Sequence, residues 1–382
     1  MMKKSFTLSL VAISLLACHA WSQGPPPPRL HKITEKGELK LVPSDSAPPA
    51  ANKVTIEIIG AERVITANGI PDHKTGRFPN PGNPNPIAAQ AHIFKVPAKP
   101  GVAAQITPMR GNFGVAINGV PFDPGAGEFY DGAPGWQYEP LSGAIKLGID
   151  MSHAHVQPTG KYHYHGLPTG LMDNVKIDPA KHSPLIGWAA DGFPIYAVYG
   201  LSDPENPSST IKKLTSSYQL KEGDRPGGEA PGGKHDGTFV ADYEYVAGAG
   251  DLDECNGRHT ITAEFPASTY AYYLTENWPV VPRHYRGTPS ADFSHEAPGT
   301  GGQRPNGPRP AGRSPGGRPR PGQVLPEPLK QALNLTLEQH QKLAELQKSV
   351  DATLAEILTP EQQEQLKSHR PGPPGGPGGP PP

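Results

Sequence analysis

Cysteine is nearly absent from this chain of 382 residues, which has only Cys18 and Cys255. Cys18 falls in a leader that is expected to be removed or lipidated, so Cys255 has no intramolecular partner. A disulfide framework is therefore excluded as the source of stability, and an ordinary core has to supply it. Charge of one sign is also lacking: 35 Lys and Arg face 36 Asp and Glu. That balance excludes a global electrostatic case for nucleic acid or an anionic surface as partner. Long apolar runs are missing too. Ser5 to Ala17 spans 13 residues, too short to cross a bilayer, and no later run is long enough. No long amphipathic helix is legible before Gln323, and nothing points to a nucleotide cofactor.

Proline and glycine are abundant, at 49 and 45 residues. Together they approach the level at which disordered segments are expected, and they crowd the two ends. Lys3 and Lys4 ahead of the apolar run have the form of a secretory leader. Two processing readings stand. Ala20-Trp21-Ser22 suits an ordinary signal peptide over residues 1–22. Leu15-Leu16-Ala17-Cys18 suits a lipoprotein signal ending at 17, with Cys18 lipidated. Either reading expects export to the periplasm, to an outer-membrane anchor or to the medium, with membrane contact only through Cys18. Residues 23–51, opening on Pro25–Pro28, are expected to form a Pro-rich tether.

Between 52 and 295 the pattern is of short strands separated by turn signals. Lys53–Ile59, Ala91–Val96, Gly114–Ile117, Ala144–Ile149, His153–Gln157, Lys161–His165, Ile195–Tyr199, Phe239–Val246, His259–Ala263 and Tyr270–Leu274 all read as extended. Asp72–Pro86 reads as a long loop. The fold class expected is all-β, a sandwich or barrel. Residues 296–323 are a Gly/Pro/Arg-rich stretch, with Arg304, Arg309, Arg313, Arg318 and Arg320, expected to be a disordered linker rather than a surface anchor. From 324 to 370 the helical period returns. Thr336 and Thr359 each precede a Gln by three residues, as in a capping box, and Leu343, Leu346, Val350, Leu354 and Ile357 form one stripe. A short α-helical hairpin, or one helix and a cap, is expected there. Residues 371–382 form a disordered Pro/Gly tail.

The chemistry concentrates in Ser152–His165. Residues i and i+2 of a strand share a face, so His153 pairs with His155 and His163 with His165. Pro158-Thr159-Gly160 supplies a turn. Folding about Thr159 sets His155 opposite His163 and His153 opposite His165, with opposed Cβ atoms about 5 Å apart. Four imidazoles then share one patch, and Tyr162 and Tyr164 turn to the core. Neutral imidazole is a ligand for divalent copper or zinc. The same face, slipped by one residue, is only a polar strand surface.

Further candidates are weaker. Asp191, in Asp191-Gly192-Phe193-Pro194, is a turn-former whose carboxylate is a candidate neighbour of the histidines and a candidate catalytic group. Asp251, Asp253, Cys255 and His259 crowd one short segment. Asp251 and Asp253 are possible additional metal ligands, and Cys255 with His259 is a possible nucleophile–base pair, although a buried inert Cys fits equally. His73 and His92 have no local partner and are expected to be structural.

These residues also carry a resemblance. Asn118–Phe122, Gly160-Lys161-Tyr162-His163-Tyr164-His165-Gly166, Gly187–Tyr196 and Asp251–Arg258 resemble the YHYH domain family, over most of 52–295. The resemblance implies a secreted or surface domain and no particular reaction. Leu335–Gln339 and Leu358–Gln362 resemble the repeated motif of the periplasmic LTXXQ family that includes the Spy chaperone, in a much shorter helical segment. The resemblance there implies envelope localisation. Three readings of function follow: a metal-binding extracytoplasmic domain, with chemistry on a small or cell-surface substrate if a coordination position is open; a non-catalytic envelope binding module; and a thiol enzyme built on Cys255 and His259.

Overall fold

The computed structural model describes residues 31–133, 135–294, 324, 337–359 and 362. The expected leader, the linker at 296–323 and the terminal tail lie outside the described residues. The chain forms two compact units, residues 1–296 and 297–382.

The first unit is built from short strands. In chain order they begin with β1 (Val54–Ile59), β2 (Glu62–Ala67), β3 (His92–Pro97), β4 (Val102–Pro108), β5 (Gly114–Ala116) and β6 (Pro121–Phe122). Next come β7 (Ala154–Val156), β8 (Tyr162–Tyr164), β9 (Gly187–Ala189), β10 (Pro194–Ala197), β11 (Tyr199–Leu201) and β12 (Ile211–Lys213). The series ends with β13 (Tyr218–Leu220), β14 (Tyr243–Tyr245), β15 (Gly257–Thr260), β16 (Thr269–Leu274) and β17 (His284–Gly287). One six-residue helix, α1 (Thr169–Asn174), interrupts them.

Eight strands make the central sheet, in the order β15-β16-β10-β9-β5-β6-β8-β7. β10 runs parallel to β16 and β6 parallel to β8; the other neighbours are antiparallel. A three-stranded sheet β1-β2-β3 and three two-stranded ribbons surround it. The expectation of an all-β unit holds, but no sheet among the described residues closes into a barrel.

The main core is rich in aromatic side chains, with Phe113, Phe122, Tyr162, Tyr164 and Tyr272 at 0% exposure. Burial of such rings is the chief stabilising term here, about 1.5–3 kcal/mol for each large apolar side chain. A second cluster joins Tyr138, Ile145, Leu147, Ile149 and Phe239. It explains a departure from expectation. Ala144–Ile149 alternates like a strand but pairs with none, because its apolar side is satisfied by this cluster without a partner strand.

The N-terminal stretch also differs from a tether. From His31 the chain lies on the domain: His31 bridges Tyr130, Val42 bridges Asp150 and Ser46 bridges Thr75, while Leu39 and Leu41 pack on the second cluster. The Phe239–Val246 strand is shortened to β14 by a 3₁₀ turn at Val240–Asp242, where Asp242 accepts the buried Arg225 guanidinium at 2.7 Å.

The hairpin β7–β8 ends the central sheet. The register is the expected one, His155 opposite His163. Gly160 closes the turn at φ +84°, with its amide on Gln157 O at 2.8 Å. A β-carbon there would sit 2.5 Å from the Ala88 β-carbon, so a side chain is excluded on both counts. The outward edge of β7 is closed by other parts of the chain. Asp150 N donates to Ala154 O at 2.9 Å. The Asn83 and Asn85 amides both donate to Val156 O, each at 2.9 Å.

In the second unit α2 (Leu337–Ile357) forms where the apolar stripe predicts a helix. Leu346 and Ile357 on that stripe remain exposed. After α2 the expected capping box is formed: Thr359 N donates to Gln362 Oε1 at 3.0 Å, and Gln362 N to Thr359 Oγ1 at 3.3 Å. Thr336 lies outside the described residues. No helix of the described residues is long and apolar enough to cross a membrane.

Candidate metal centre

Strand alternation builds this site. On β8, Tyr162 and Tyr164 point inward and are fully buried, while His163 and the following His165 take the opposite face. The tyrosines are anchored by polar groups. Tyr162 OH donates to Asp150 Oδ2 at 2.8 Å, which also receives Gly76 N at 2.8 Å. Tyr164 OH meets His73 Nε2 at 2.7 Å and Asn118 Nδ2 at 3.0 Å. His73 is thus structural, as expected. His92 is structural too, stacked on Phe94.

Three of the four hairpin histidines converge. The ring centroids of His155, His163 and His165 lie 4.6, 4.5 and 4.7 Å apart in the three pairings. One nitrogen from each falls within 4.8 Å of the other two. The Nε2 atoms of His163 and His165 are 3.1 Å apart. Two imidazoles sharing one tetrahedral ion at about 2.05 Å hold their nitrogens about 3.3 Å apart, so the spacing found fits an ion nearly as it stands.

Backbone carbonyls set two of the rings. A carbonyl only accepts, so the His155 Nδ1 that meets Leu147 O at 3.0 Å carries the proton. The same holds for His163 Nδ1 against Lys161 O at 3.2 Å. Each Nε2 is left with its lone pair, the arrangement that orients imidazole toward a metal; that of His163 accepts from His165 Nε2–H, a proton a metal would displace. His165 Nδ1 is buried and has no hydrogen-bond partner. Burial, together with the neighbouring His155 and His163, pushes the His165 pKa well below its usual value. Burial lowers that of His155 as well. Both shifts favour the neutral form of the ring, the form that coordinates.

His153 stays out of the group, contrary to the four-histidine expectation. Its backbone keeps the register, with His165 N on its carbonyl at 2.7 Å. Its φ of +51°, however, turns the side chain away from the shared face, and Nδ1 bonds Leu167 O at 2.8 Å.

The carboxylates expected to join the site are engaged elsewhere. Asp191 is buried and accepts from Tyr272 OH, Gly287 N and Phe193 N, which pins the β9–β10 turn. Asp251 pairs with Lys212 at 2.7 Å and accepts from Thr215. Asp253 accepts from Tyr270 OH and from the amides of Cys255 and Gly257. None of them is in the histidine group. Cys255 is fully buried and burial pushes its thiol pKa up, the reverse of an activated thiol. His259 lies over Tyr270 on the exposed side of β15, and no hydrogen bond joins it to Cys255. The nucleophile–base pairing is not formed.

Three polar residues beside the histidines escaped the sequence reading. Asp123 N bonds Tyr164 O at 2.8 Å, between His163 and His165 in sequence. Its carboxylate accepts from Gln157 Nε2 at 3.3 Å and faces the Lys161 ammonium at 3.6 Å. Lys161 Nζ also donates to Asn112 Oδ1 at 3.1 Å. Gln157 lies two residues beyond His155 and Lys161 two before His163, so the same period of two was available to find them. Asp123 has no such local signal.

The three histidines line a cleft of about 900 Å³. Its other walls include His31, Ile33, Glu128, Lys146, Gln157 and Pro158. A cavity of that size admits a small organic molecule.

A family described as "YHYH protein" matches residues 93–287, about half the chain, including the whole histidine hairpin. No curated protein matches, and no solved structure does.

Proposed function

The chain belongs to the YHYH protein family, and from that premise we propose that it is an exported metalloprotein whose centre is His155, His163 and His165. The observation that carries this reading is the convergence of three imidazoles in a cleft, with the His155 and His163 rings turned by carbonyls to present Nε2. Copper and zinc are the metals whose chemistry suits three neutral imidazoles. Three protein ligands would leave such an ion a coordination position for a solute, as in catalytic rather than structural sites. A metal bound there supplies a Lewis acid or a redox centre for a small or surface-derived substrate. The residues around it orient the rings, exclude bulk water from the buried pair and shape the cleft. The leader read from the sequence supports an extracytoplasmic setting.

Metal analysis of the purified chain after exposure to copper and zinc tests the reading. About one ion per chain is expected, with loss of binding in His155→Ala and in His163→Ala. His153→Ala retains the metal. Wild-type protein that stays metal-free overturns the proposal. A binding module without chemistry uses the same cleft, and it predicts ligand binding unchanged by chelation.

A further inference from the structure

Resting on the metal reading, we propose that the buried Asp123–Lys161 pair sets the charge around the three histidines so that the ion takes its remaining ligand as an anion from the cleft. The substrate or ligand class is then a small solute bearing a carboxylate or a similar anionic oxygen.

Placement carries the argument. Lys161, His163 and His165 follow one another at intervals of two along one strand face, and Gln157 follows His155 in the same way. Asp123 is held between them by its amide on Tyr164 O and by Gln157 Nε2 on its carboxylate. Asp123 is therefore the carboxylate placed to balance an ion on the triad. Its charge is already opposed: Lys161 Nζ lies 3.6 Å away, and both side chains are about nine-tenths buried. The cleft does not redress the balance, because Glu128 and Lys146 on its walls carry opposite signs.

The ligands themselves are three neutral rings. A divalent ion among them has no net protein charge to offset it, and an uncompensated buried charge is costly. An anion entering through the cleft removes that cost by binding the ion directly. A protein built to hold the metal closed would leave Asp123 without its lysine.

The test uses the full chain loaded with cobalt(II), whose visible spectrum reports a change of ligand, and acetate and azide as probes. In the wild type both anions shift the spectrum and saturate. Lys161→Met, which removes the ammonium that faces Asp123, binds cobalt about tenfold more tightly and acetate about tenfold more weakly, the scale of outer-shell changes at metal sites. Asp123→Asn moves both affinities the opposite way. Asp123→Asn with Lys161→Met restores values near the wild type. Should Lys161→Met fail to fold, Lys161→Gln, which keeps a donor for Asn112, takes its place. Cobalt bound normally, with acetate affinity equal across the series, overturns the charge assignment. A wild type that takes up no cobalt overturns the metal reading itself.

Discussion

Replacing Tyr162 by Phe isolates the contribution of the anchored face of the hairpin. The ring is fully buried, and Phe preserves its packing. What is lost is the hydroxyl donated to Asp150 Oδ2 at 2.8 Å. That carboxylate is itself fully buried, with Gly76 N, Ser152 N and Ala154 N as its other donors. A hydrogen bond to a charged group contributes about 1.5–3 kcal/mol, and its loss leaves a buried acceptor short of one donor. A cost of about 2 kcal/mol is therefore expected, which lowers the melting temperature by roughly 4–8 °C for a domain of this size. Urea unfolding followed by tryptophan fluorescence measures it. The histidines point to the other face, so metal content is expected to be unchanged in the folded variant. A loss below about 0.5 kcal/mol, the range of surface substitutions, refutes the claim that Tyr162 and Asp150 tie the hairpin down. A large loss of metal in a variant of near wild-type stability refutes the separation of the two faces.

Other outcomes follow from the same coordinates. Gly160→Ala combines a positive φ with a close approach to Ala88, and a cost of about 1–3 kcal/mol is expected in the same unfolding assay. His92 is held to about 4, first by burial and then by the Lys161 charge. The unfolded chain takes up a proton near 6.5 that the folded ring refuses, so stability is present above pH 6.5 and is lost as pH falls toward 4. His92→Phe removes that loss, and its stability relative to the wild type is expected to rise by about 2–3 kcal/mol between pH 7 and pH 4. Cys255 is expected to resist iodoacetamide in the native chain and to react in urea. Rapid native labelling contradicts its buried, high-pKa thiol.

The hairpin was legible because two periodicities agreed. The alternation of Tyr and His over 162–165 assigned the faces, and Pro158-Thr159-Gly160 set the register that the structure shows. Its limit was His153. Residue spacing does not encode a left-handed φ, and that one torsion reduces the group of four imidazoles to three. The same reasoning over-read Ala144–Ile149, since alternation reports a one-sided environment and not a hydrogen-bonded neighbour. Asp251, Asp253 and the Asp191 turn attracted attention through their composition, yet their carboxylates are taken up by amides, hydroxyls and Lys212. Asp123 was invisible for the opposite reason: strand pairing over long range brings it to the histidines, with no mark in its own neighbourhood. The helix after 336 was read from its apolar stripe, and the Thr359–Gln362 box from its spacing alone.

The asparagine amides on Val156 O have a consequence for solubility and for access. A terminal strand offers its open carbonyls to any extended peptide, including a second copy of the same chain. Here that docking rail is occupied by side chains of the long loop, beside the imidazoles themselves. Growth of the sheet by a foreign strand is blocked at the edge that carries His155.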